Sequence, residues 1–111
     1  MQLDKKTVIK KVKKYADLVN TVISPNKVIL YGSFAKGNWN ENGDIDVAII
    51  VDKIEGDYLL LMKKLNKLTR GIDYRIEPVL LEPKDDISGF LTSVLHTGLL
   101  IYDVDNVKLN Y

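Results

Sequence analysis

Apolar residues recur every three or four positions in three segments of the chain, a spacing that predicts amphipathic helices. The first segment covers residues 1–23, the second covers residues 58–68, and the third carries Phe90 and ends before Gly98. Glycine favours the end of a helix because its backbone is not restricted by a side chain. We expect the acidic pair Asp85–Asp86 to cap the start of the third helix.

Short apolar runs rich in β-branched residues lie between these helices and predict strands. Residues 27–31 form the first run, 44–51 the second, 74–81 the third and 99–102 the last. Pro78 cannot donate a backbone hydrogen bond, so we expect the third strand at a sheet edge or at a bulge. The alternation of helices and strands predicts an α/β sandwich.

The second strand carries two acidic residues on one of its faces. Its two-residue period places Asp44, Asp46, Ala48 and Ile50 on one face and the odd-numbered apolar residues on the other. By the rise of a strand, the two carboxylates lie about 7 Å apart. They repel each other unless a cation sits between them. Because the same face becomes apolar after the acids, it fits the mouth of a cleft.

A glycine and a serine directly follow the first strand. If a helix starts at Gly32-Ser33, its free N–H groups and positive dipole end form an anion site. Gly32 would let a phosphate approach the backbone, and Ser33 would add a hydroxyl. The rest of the segment up to Gly43 is predicted to form a short helix and a loop. A phosphate-binding turn beside paired carboxylates is the arrangement that metal-assisted phosphoryl or nucleotidyl transfer requires.

The composition excludes several other classes of site. The 111 residues include no Cys and one His, which excludes disulfide scaffolds, thiolate zinc sites and cysteine nucleophiles. Any bound metal would be a hard cation held by oxygen ligands. The length fits one domain, and no apolar stretch is long enough to cross a membrane. Because the N-terminus is too polar for a signal peptide, we expect a cytoplasmic protein.

The formal net charge of +1 is the sum of two regions of opposite sign. Residues 1–14 contain six Lys and one Asp, whereas residues 15–111 contain ten basic and fourteen acidic residues. We interpret the lysines as the solvated face of an amphipathic helix, and a dock for an acidic partner or an RNA acceptor is the alternative. The run 59–62 is apolar on more than one helix face, which indicates burial on two sides or a protein interface.

A few aromatic and imidazole side chains remain as further candidates. We interpret His96 as a structural or surface residue near a helix end, and Trp39 as a packing residue rather than a base-stacking one. The hydroxyls of Tyr31 and Tyr74 are both candidates for a place near the cleft, and the pattern does not decide between them.

One long segment resembles the signature of the DNA polymerase β-like nucleotidyltransferase superfamily: VILYGSFAKGNWNENGDIDVAII. An apolar strand leads to Gly-Ser, ten residues intervene, and Asp-x-Asp opens a second apolar strand. The chain is most similar to the minimal nucleotidyltransferases of bacteria and archaea, which resemble the core of kanamycin nucleotidyltransferase. The resemblance implies a small mixed sheet with helices packed against it. It divides the chain into a basic N-terminal helix (1–23), a catalytic core (27–102) and a C-terminal tail (103–111).

The resemblance also implies a set of site residues. Asp44 and Asp46 would be catalytic and metal-binding, together with a third carboxylate on a later strand that corresponds by position to Glu77. Apolar neighbours enclose Glu77 in the sequence, and we prefer it to Asp73, the competitor with the same strand parity. The family commonly has Asp at this position. Gly32, Ser33 and Lys36 would bind the nucleotide, with Lys36 standing where the family usually has Arg.

The implied reaction uses two Mg²⁺ ions and ATP, and it transfers AMP to an acceptor hydroxyl with release of pyrophosphate. Small members of the family often act as the antitoxin partner of a HEPN-type helical toxin, so we expect such a partner or a homodimer. One alternative is a binding module that neutralises a toxin by contact without catalysis. Another is a drug-modifying nucleotidyltransferase that acts as a dimer on small molecules. No membrane is indicated as a partner, and a nucleic-acid acceptor is compatible with the sequence without being indicated by it.

Overall fold

A four-stranded sheet with helices on both faces organises the chain. The structure is a computed structural model that describes residues 5–32, 35, 43–85 and 89–109. Its elements in chain order are α1 (Lys5–Val19), β1 (Lys27–Tyr31), β2 (Ile45–Ile50), α2 (Tyr58–Thr69), β3 (Ile76–Leu81), α3 (Phe90–Thr97), β4 (Leu99–Asp103) and α4 (Val104–Leu109), with a 3₁₀ turn at Pro83–Asp85.

The strands lie in the order β3-β2-β1-β4. β1 pairs antiparallel with both β2 and β4, whereas β2 and β3 are parallel and are connected through α2. Parallel neighbours need such a crossover because the chain must return to the same end of the sheet. The mixed sheet predicted from the sequence is confirmed. Pro78 lies in β3, at an edge of the sheet, as its missing N–H donor predicted.

The larger part of the core lies between the sheet and the pair α1 and α2. The buried side chains of this layer are Val8, Val12, Tyr15, Ala16, Val19, Val28, Leu30, Ile45, Val47, Ile49, Val51, Leu65, Ile76 and Leu80. The hydroxyl of Tyr15 donates to the Leu65 carbonyl at 2.8 Å, which satisfies a buried polar group and connects the two helices. Each such Val or Leu stabilises the fold by about 1.5–3 kcal/mol through burial.

α3 packs on the opposite face of the sheet. Leu91 and Val94 of this helix pack on Ile29, Ala48 and Ile50 of the two central strands. This second cluster is small, and it lies on the face that carries the even-numbered residues of β2. The alternation predicted for this strand is therefore confirmed. The acidic end of the strand faces the same side as the small cluster.

Several predicted boundaries were wrong at the chain's turns. α1 ends at Val19, because the next residues turn and the Asn20 side chain donates to the Ala16 carbonyl at 3.0 Å. β3 begins at Ile76, two residues later than predicted. The backbone N–H of Ile76 donates to the carbonyl of Asp73 at 3.1 Å, which closes a turn before the strand starts.

One prediction near the C-terminus was also wrong. The N-cap of α3 is Gly89, with a left-handed φ of 76° and no capping side chain, so neither residue of the acidic pair Asp85–Asp86 caps it. Asp85 instead ends the 3₁₀ turn, and the rest of the connection up to Ser88 lies outside the described residues. The predicted tail contains a short helix, α4, from Val104 to Leu109.

A helix that spans a membrane needs about 20 predominantly apolar residues. In the ranges that the structure covers, no helix is both long and apolar enough to cross a bilayer.

Candidate active site

Three side chains stand in one row across the sheet, on the face that α3 leaves partly open. Tyr31 of β1 pairs directly with Asp46 of β2, and Asp46 pairs directly with Glu77 of β3. Residues that pair directly point to the same face of a sheet, and adjacent strands lie about 4.8 Å apart. Asp44 immediately precedes β2 and is exposed. The row and Asp44 together form what we call the carboxylate site.

The acids of this site repel one another, and their environment disfavours negative charge. Loss of hydration and then the charge of Asp44 raise the pKa of Asp46. Loss of hydration also raises the pKa of Glu77, followed by the charges of Asp44 and Asp46 and a hydrogen bond with the Asp44 side chain. The pKa of Tyr31 is raised by burial and then by the negative charges of Asp46 and Glu77. The arrangement concentrates negative charge that a cation would stabilise.

Gly32 closes the site at the end of β1. Its φ is +78°, a left-handed conformation that side chains rarely tolerate. A Cβ built on Gly32 would overlap a carboxylate oxygen of Asp46 and lie 3.2 Å from its Cγ. Glycine therefore lets the backbone of this turn lie against the Asp46 carboxylate. Of the other predicted nucleotide contacts, Ser33 and Lys36 lie outside the described residues, as does Trp39.

Asp73, the competitor of Glu77, belongs to a separate ion-pair network. It accepts a hydrogen bond from Lys11 Nζ at 3.0 Å and from the Arg75 guanidinium at 2.6 Å and 3.0 Å. The backbone N–H of Arg75 also donates to Asp73 at 2.9 Å. These bonds, the guanidinium contact first among them, hold the pKa of Asp73 well below its usual range. This carboxylate is already neutralised by protein cations.

The exposure of these two acids is the opposite of what their neighbours in the sequence indicate. Apolar residues flank Glu77 in the sequence, but Glu77 is exposed, whereas Asp73 is 8% exposed. β3 is an edge strand, so the side of Glu77 away from β2 has no neighbouring strand. Of the two acids, Glu77 is the one that pairs with Asp46, which supports our preference for it as the third carboxylate.

The donor chemistry of the carboxylate site fits a hard divalent cation. Carboxylate oxygens are the ligands that Mg²⁺ prefers, and the site collects three acids beside a turn without a side chain. Glu77 and Asp44 share a hydrogen bond between their side chains. Within the ranges that the structure describes, no three His, Asp or Glu side chains form a group that could hold a metal. The predicted metal ligands Asp44, Asp46 and Glu77 therefore remain a prediction.

Sequence reasoning missed an aromatic contact at the border of the site. Tyr31 and Phe90 meet with ring centroids 5.6 Å apart and an interplanar angle of 83°. Phe90 was interpreted only as an apolar helix position, since no local pattern indicates that the start of α3 reaches β1. Tyr31, one of the two candidate tyrosines, does lie at the site. Tyr74 is 85% exposed in the turn before β3, and His96 is exposed in the last turn of α3.

The chain is similar to known proteins in sequence and in fold. Residues 9–107 match the profile described as "Polymerase beta, Nucleotidyltransferase". Two proteins of Methanocaldococcus jannaschii named "Putative protein adenylyltransferase" are similar in sequence. One is 32% identical over an alignment of 92 residues that covers, gaps excluded, 76% of this chain and 63% of the relative. The other is 36% identical over an alignment of 78 residues that covers 68% of this chain and 77% of the relative. This chain thus covers less than two thirds of the first relative's length.

Two crystal structures share the fold. One is of "a putative nucleotidyltransferase from Sulfolobus solfataricus", with a TM-score of 0.62, 18% identity and coverage of 95% of this chain and 94% of that one. The other is described as "the toxin-antitoxin with AMP-PNP", with a TM-score of 0.62, 19% identity and coverage of 95% and 77%. At this identity the likeness supports the fold alone. The match over residues 9–107 carries the assignment, and the chain belongs to the polymerase beta nucleotidyltransferase family.

Proposed function

We propose that this protein transfers AMP from ATP to a hydroxyl group of a protein acceptor in a Mg²⁺-dependent reaction. The observation that carries the proposal is the direct pairing of Asp46 with Glu77, beside Asp44 and the glycine turn at Gly32. A site of this kind brings oxygen ligands for a divalent cation next to the backbone of a glycine turn, where a phosphate would bind.

Each acid of the carboxylate site has a role in this proposal. Asp44 and Asp46 would hold two Mg²⁺ ions, and Glu77 would complete the site on the β3 side. Bound there, Mg²⁺ would activate the acceptor hydroxyl and neutralise charge on the triphosphate. Gly32, with Ser33 and Lys36, would receive the triphosphate on the β1 side. The acceptor hydroxyl releases its proton to water and its oxygen forms a bond to the α-phosphorus, while the bond from that phosphorus to the β-phosphate oxygen breaks and pyrophosphate leaves.

The names of the relatives support the finer parts of the proposal. Two similar proteins are called adenylyltransferases of proteins, which supports AMP as the transferred group and a protein as the acceptor. A structural neighbour is part of a toxin–antitoxin complex, which supports a protein partner. We propose that this partner is a HEPN-type toxin, that this chain is its antitoxin, and that both act in the cytoplasm.

The test is a transfer assay with ATP labelled at its α-phosphate, Mg²⁺ and the protein that co-purifies with this chain. We expect label on the partner with the wild type and none with the double variant Asp44→Asn, Asp46→Asn. Glu55→Gln is the matched control, because this exposed acid lies outside the site. Thermal unfolding would establish that each variant folds. Undiminished labelling by the double variant would show that these carboxylates are not catalytic.

A second candidate function is neutralisation of a toxin by contact alone. Exposed apolar residues at the start of α2 favour it, since Leu59 is 75% exposed and Leu60 is 58% exposed. Large exposed leucines at adjacent positions are typical of interaction surfaces. Growth rescue by the Asp44→Asn, Asp46→Asn variant would favour this function over catalysis. Loss of rescue with retained binding would exclude it.

A further inference from the structure

Tyr31 of the carboxylate site and Phe90 beside it form an aromatic pair that has no role in the proposed transfer. Tyr31 stands directly opposite Asp46 on the same sheet face, and its ring meets that of Phe90 at a centroid distance of 5.6 Å. Phe90 opens α3 and is 40% exposed, whereas Leu91 and Val94 of the same helix are buried. Packing of the small core beneath α3 thus uses the two aliphatic residues and leaves part of the Phe90 ring in solvent.

The position of the aromatic pair in the sheet indicates which of the two substrates of the proposed reaction lies beside it. Across the sheet, Glu77 and Tyr31 lie on opposite sides of Asp46. Gly32, which would receive the triphosphate, directly follows Tyr31 in the chain. The acceptor hydroxyl would bind on the Glu77 side. The aromatic pair therefore lies on the nucleotide's side of the site.

Because the site is acidic, a flat group without net charge can bind beside it without electrostatic repulsion. Three carboxylates repel a triphosphate wherever metal ions do not fully offset them. Lys11 and Arg75, two cations near the start of β3, are bound to Asp73. A nucleobase carries no net charge, and its π-face stacks favourably on an aromatic side chain. Stacking on an exposed ring can thus add affinity for the nucleotide that the acidic groups do not provide.

We propose that Tyr31 and Phe90 form the nucleobase wall of the site, with the exposed part of the Phe90 ring stacking on the base. Tyr31 acts as a positioning residue that holds the Phe90 ring through their edge-to-face contact. The inference rests on the proposed function, because the nucleotide is the substrate of that reaction. Stacking tolerates any base, so ATP and GTP are expected to depend on Phe90 to a similar extent.

The test compares the binding of two probes, MgATP and Mg-tripolyphosphate, by titration calorimetry. Tripolyphosphate has the same chain of phosphates as ATP but no base, so the difference between the two affinities isolates the base. We expect Phe90→Leu to weaken ATP binding roughly five- to twentyfold and to leave tripolyphosphate binding unchanged. Phe90→Tyr keeps the ring and is expected to bind ATP within about twofold of the wild type. Leu95→Ala is the control, since Leu95 is an exposed apolar residue of the same helix, 49% exposed.

The outcomes separate this inference from the proposed function. Equal loss of affinity for both probes in Phe90→Leu, or no loss for either, would overturn the nucleobase wall while the transfer site stands. Failure of the wild type to bind either probe would overturn the transfer site and the wall with it. If Phe90→Leu does not fold, a measurement on the wild type still tests the proposal. On addition of ATP, but not of tripolyphosphate, the NMR signals of the Phe90 ring should shift, and unshifted signals would reject the wall.

Discussion

Two acidic sites lie at the neighbouring starts of β2 and β3, and they differ in what surrounds the charge. Asp73 is 8% exposed and is bound by Lys11 and by Arg75, so its pKa is lowered. Asp46 and Glu77 are directly paired on the adjacent strands β2 and β3, and the pKa values of both are raised. The more buried acid is stabilised by its partners, and the more exposed acids are destabilised by theirs.

The difference shows that burial alone does not identify a functional carboxylate. A buried acid with two cationic partners is a structural element, because its ionised form stabilises the fold. Acids that raise one another's pKa gain no stability from their proximity. Such an arrangement is typical of sites that bind a cation or react with a substrate. On this basis Asp73 stabilises the turn before β3, and Asp46 and Glu77 are the candidates for binding a cation or reacting with a substrate.

The largest effect is expected from Asp46→Asn. If Asp46 is the metal ligand we propose, its loss should reduce the rate of the proposed AMP transfer on the order of a thousandfold, because fixed charges that stabilise the transferring phosphoryl group contribute that much or more. The free energy of unfolding should stay the same or rise, because the substitution removes repulsion from Asp44 and Glu77. Initial rates and urea denaturation of the same preparation measure both quantities. A large loss of stability would mean that Asp46 is structural, as Asp73 is.

Asp73→Asn should show the opposite behaviour. Leaving Lys11 and Arg75 without their partner should lower the free energy of unfolding by about 3 kcal/mol. The rate of transfer per folded molecule should change by no more than about threefold, because Asp73 does not contact the carboxylate site. Urea denaturation checks the stability, and transfer assays well below the unfolding temperature check the rate. If Asp73→Asn folds normally but is inactive, Asp73 rather than Glu77 would be the candidate for the third carboxylate.

Gly32→Ala tests how closely the turn after β1 lies against Asp46. We expect a loss of about 1–2 kcal/mol in the free energy of unfolding, from the positive φ together with the overlap with the carboxylate. Gly56→Ala is a matched control, because Gly56 has a φ of +86° and nothing within 4 Å of its built Cβ. The excess loss in Gly32→Ala over Gly56→Ala measures the contact alone. Equal losses in the two variants would show that the turn does not press on Asp46.

Magnesium should stabilise the protein through the carboxylate site and not through Asp73. At a Mg²⁺ concentration of ten times the dissociation constant, mass action adds about 1.4 kcal/mol to the free energy of unfolding. Thermal unfolding with and without MgCl₂ should show an increase in the wild type and in Asp73→Asn, and none in Asp46→Asn. The same increase in all three proteins would place the binding elsewhere.

The smallest effect concerns the pH dependence of the Asp73 ion pairs. The pKa of Asp73 in the folded protein is lowered below the unfolded value of about 3.9. The contribution of Asp73 to the free energy of unfolding is therefore complete above that value and decreases as the pH falls towards the folded pKa. The stability difference between wild type and Asp73→Asn should shrink by about 0.4 kcal/mol between pH 7 and pH 4, and more steeply below. Urea denaturation at several pH values gives this difference. A difference that grows towards low pH would contradict the assignment.

Much of the fold was predictable because it depends on local periodicity. All four strands were found, and the alternation in β2 assigned its residues to the correct faces. The ends of elements were predicted less well, since they depend on turns and caps with weak signals. α3 illustrates the difficulty, because its N-cap is Gly89 in a left-handed conformation rather than an acidic side chain. Periodicity also gave no sign that α4 follows β4 directly.

The candidate site was predictable only in part. The spacing from Gly32 to Asp44 and Asp46 carried the family resemblance, and residues 9–107 match the family profile. The competition between Glu77 and Asp73 remained open, because both have the same parity on one predicted strand. The turn that begins at Asp73 removes it from the strand, and Lys11, 62 residues away in the chain, is one of its partners. Contacts at that distance in sequence have no local signal.

The sequence by itself determined which chemistry was available: oxygen ligands, a glycine turn, and neither thiol nor imidazole cluster. It also determined the order of helices and strands, because hydrophobic periodicity is a local property. Tertiary structure decided which acids became neighbours and which were neutralised. It paired Asp46 with Glu77, placed Asp73 against Lys11 and Arg75, and brought Phe90 to Tyr31. A carboxylate's role depends on the charges and water around it, and only the packing of distant segments sets those.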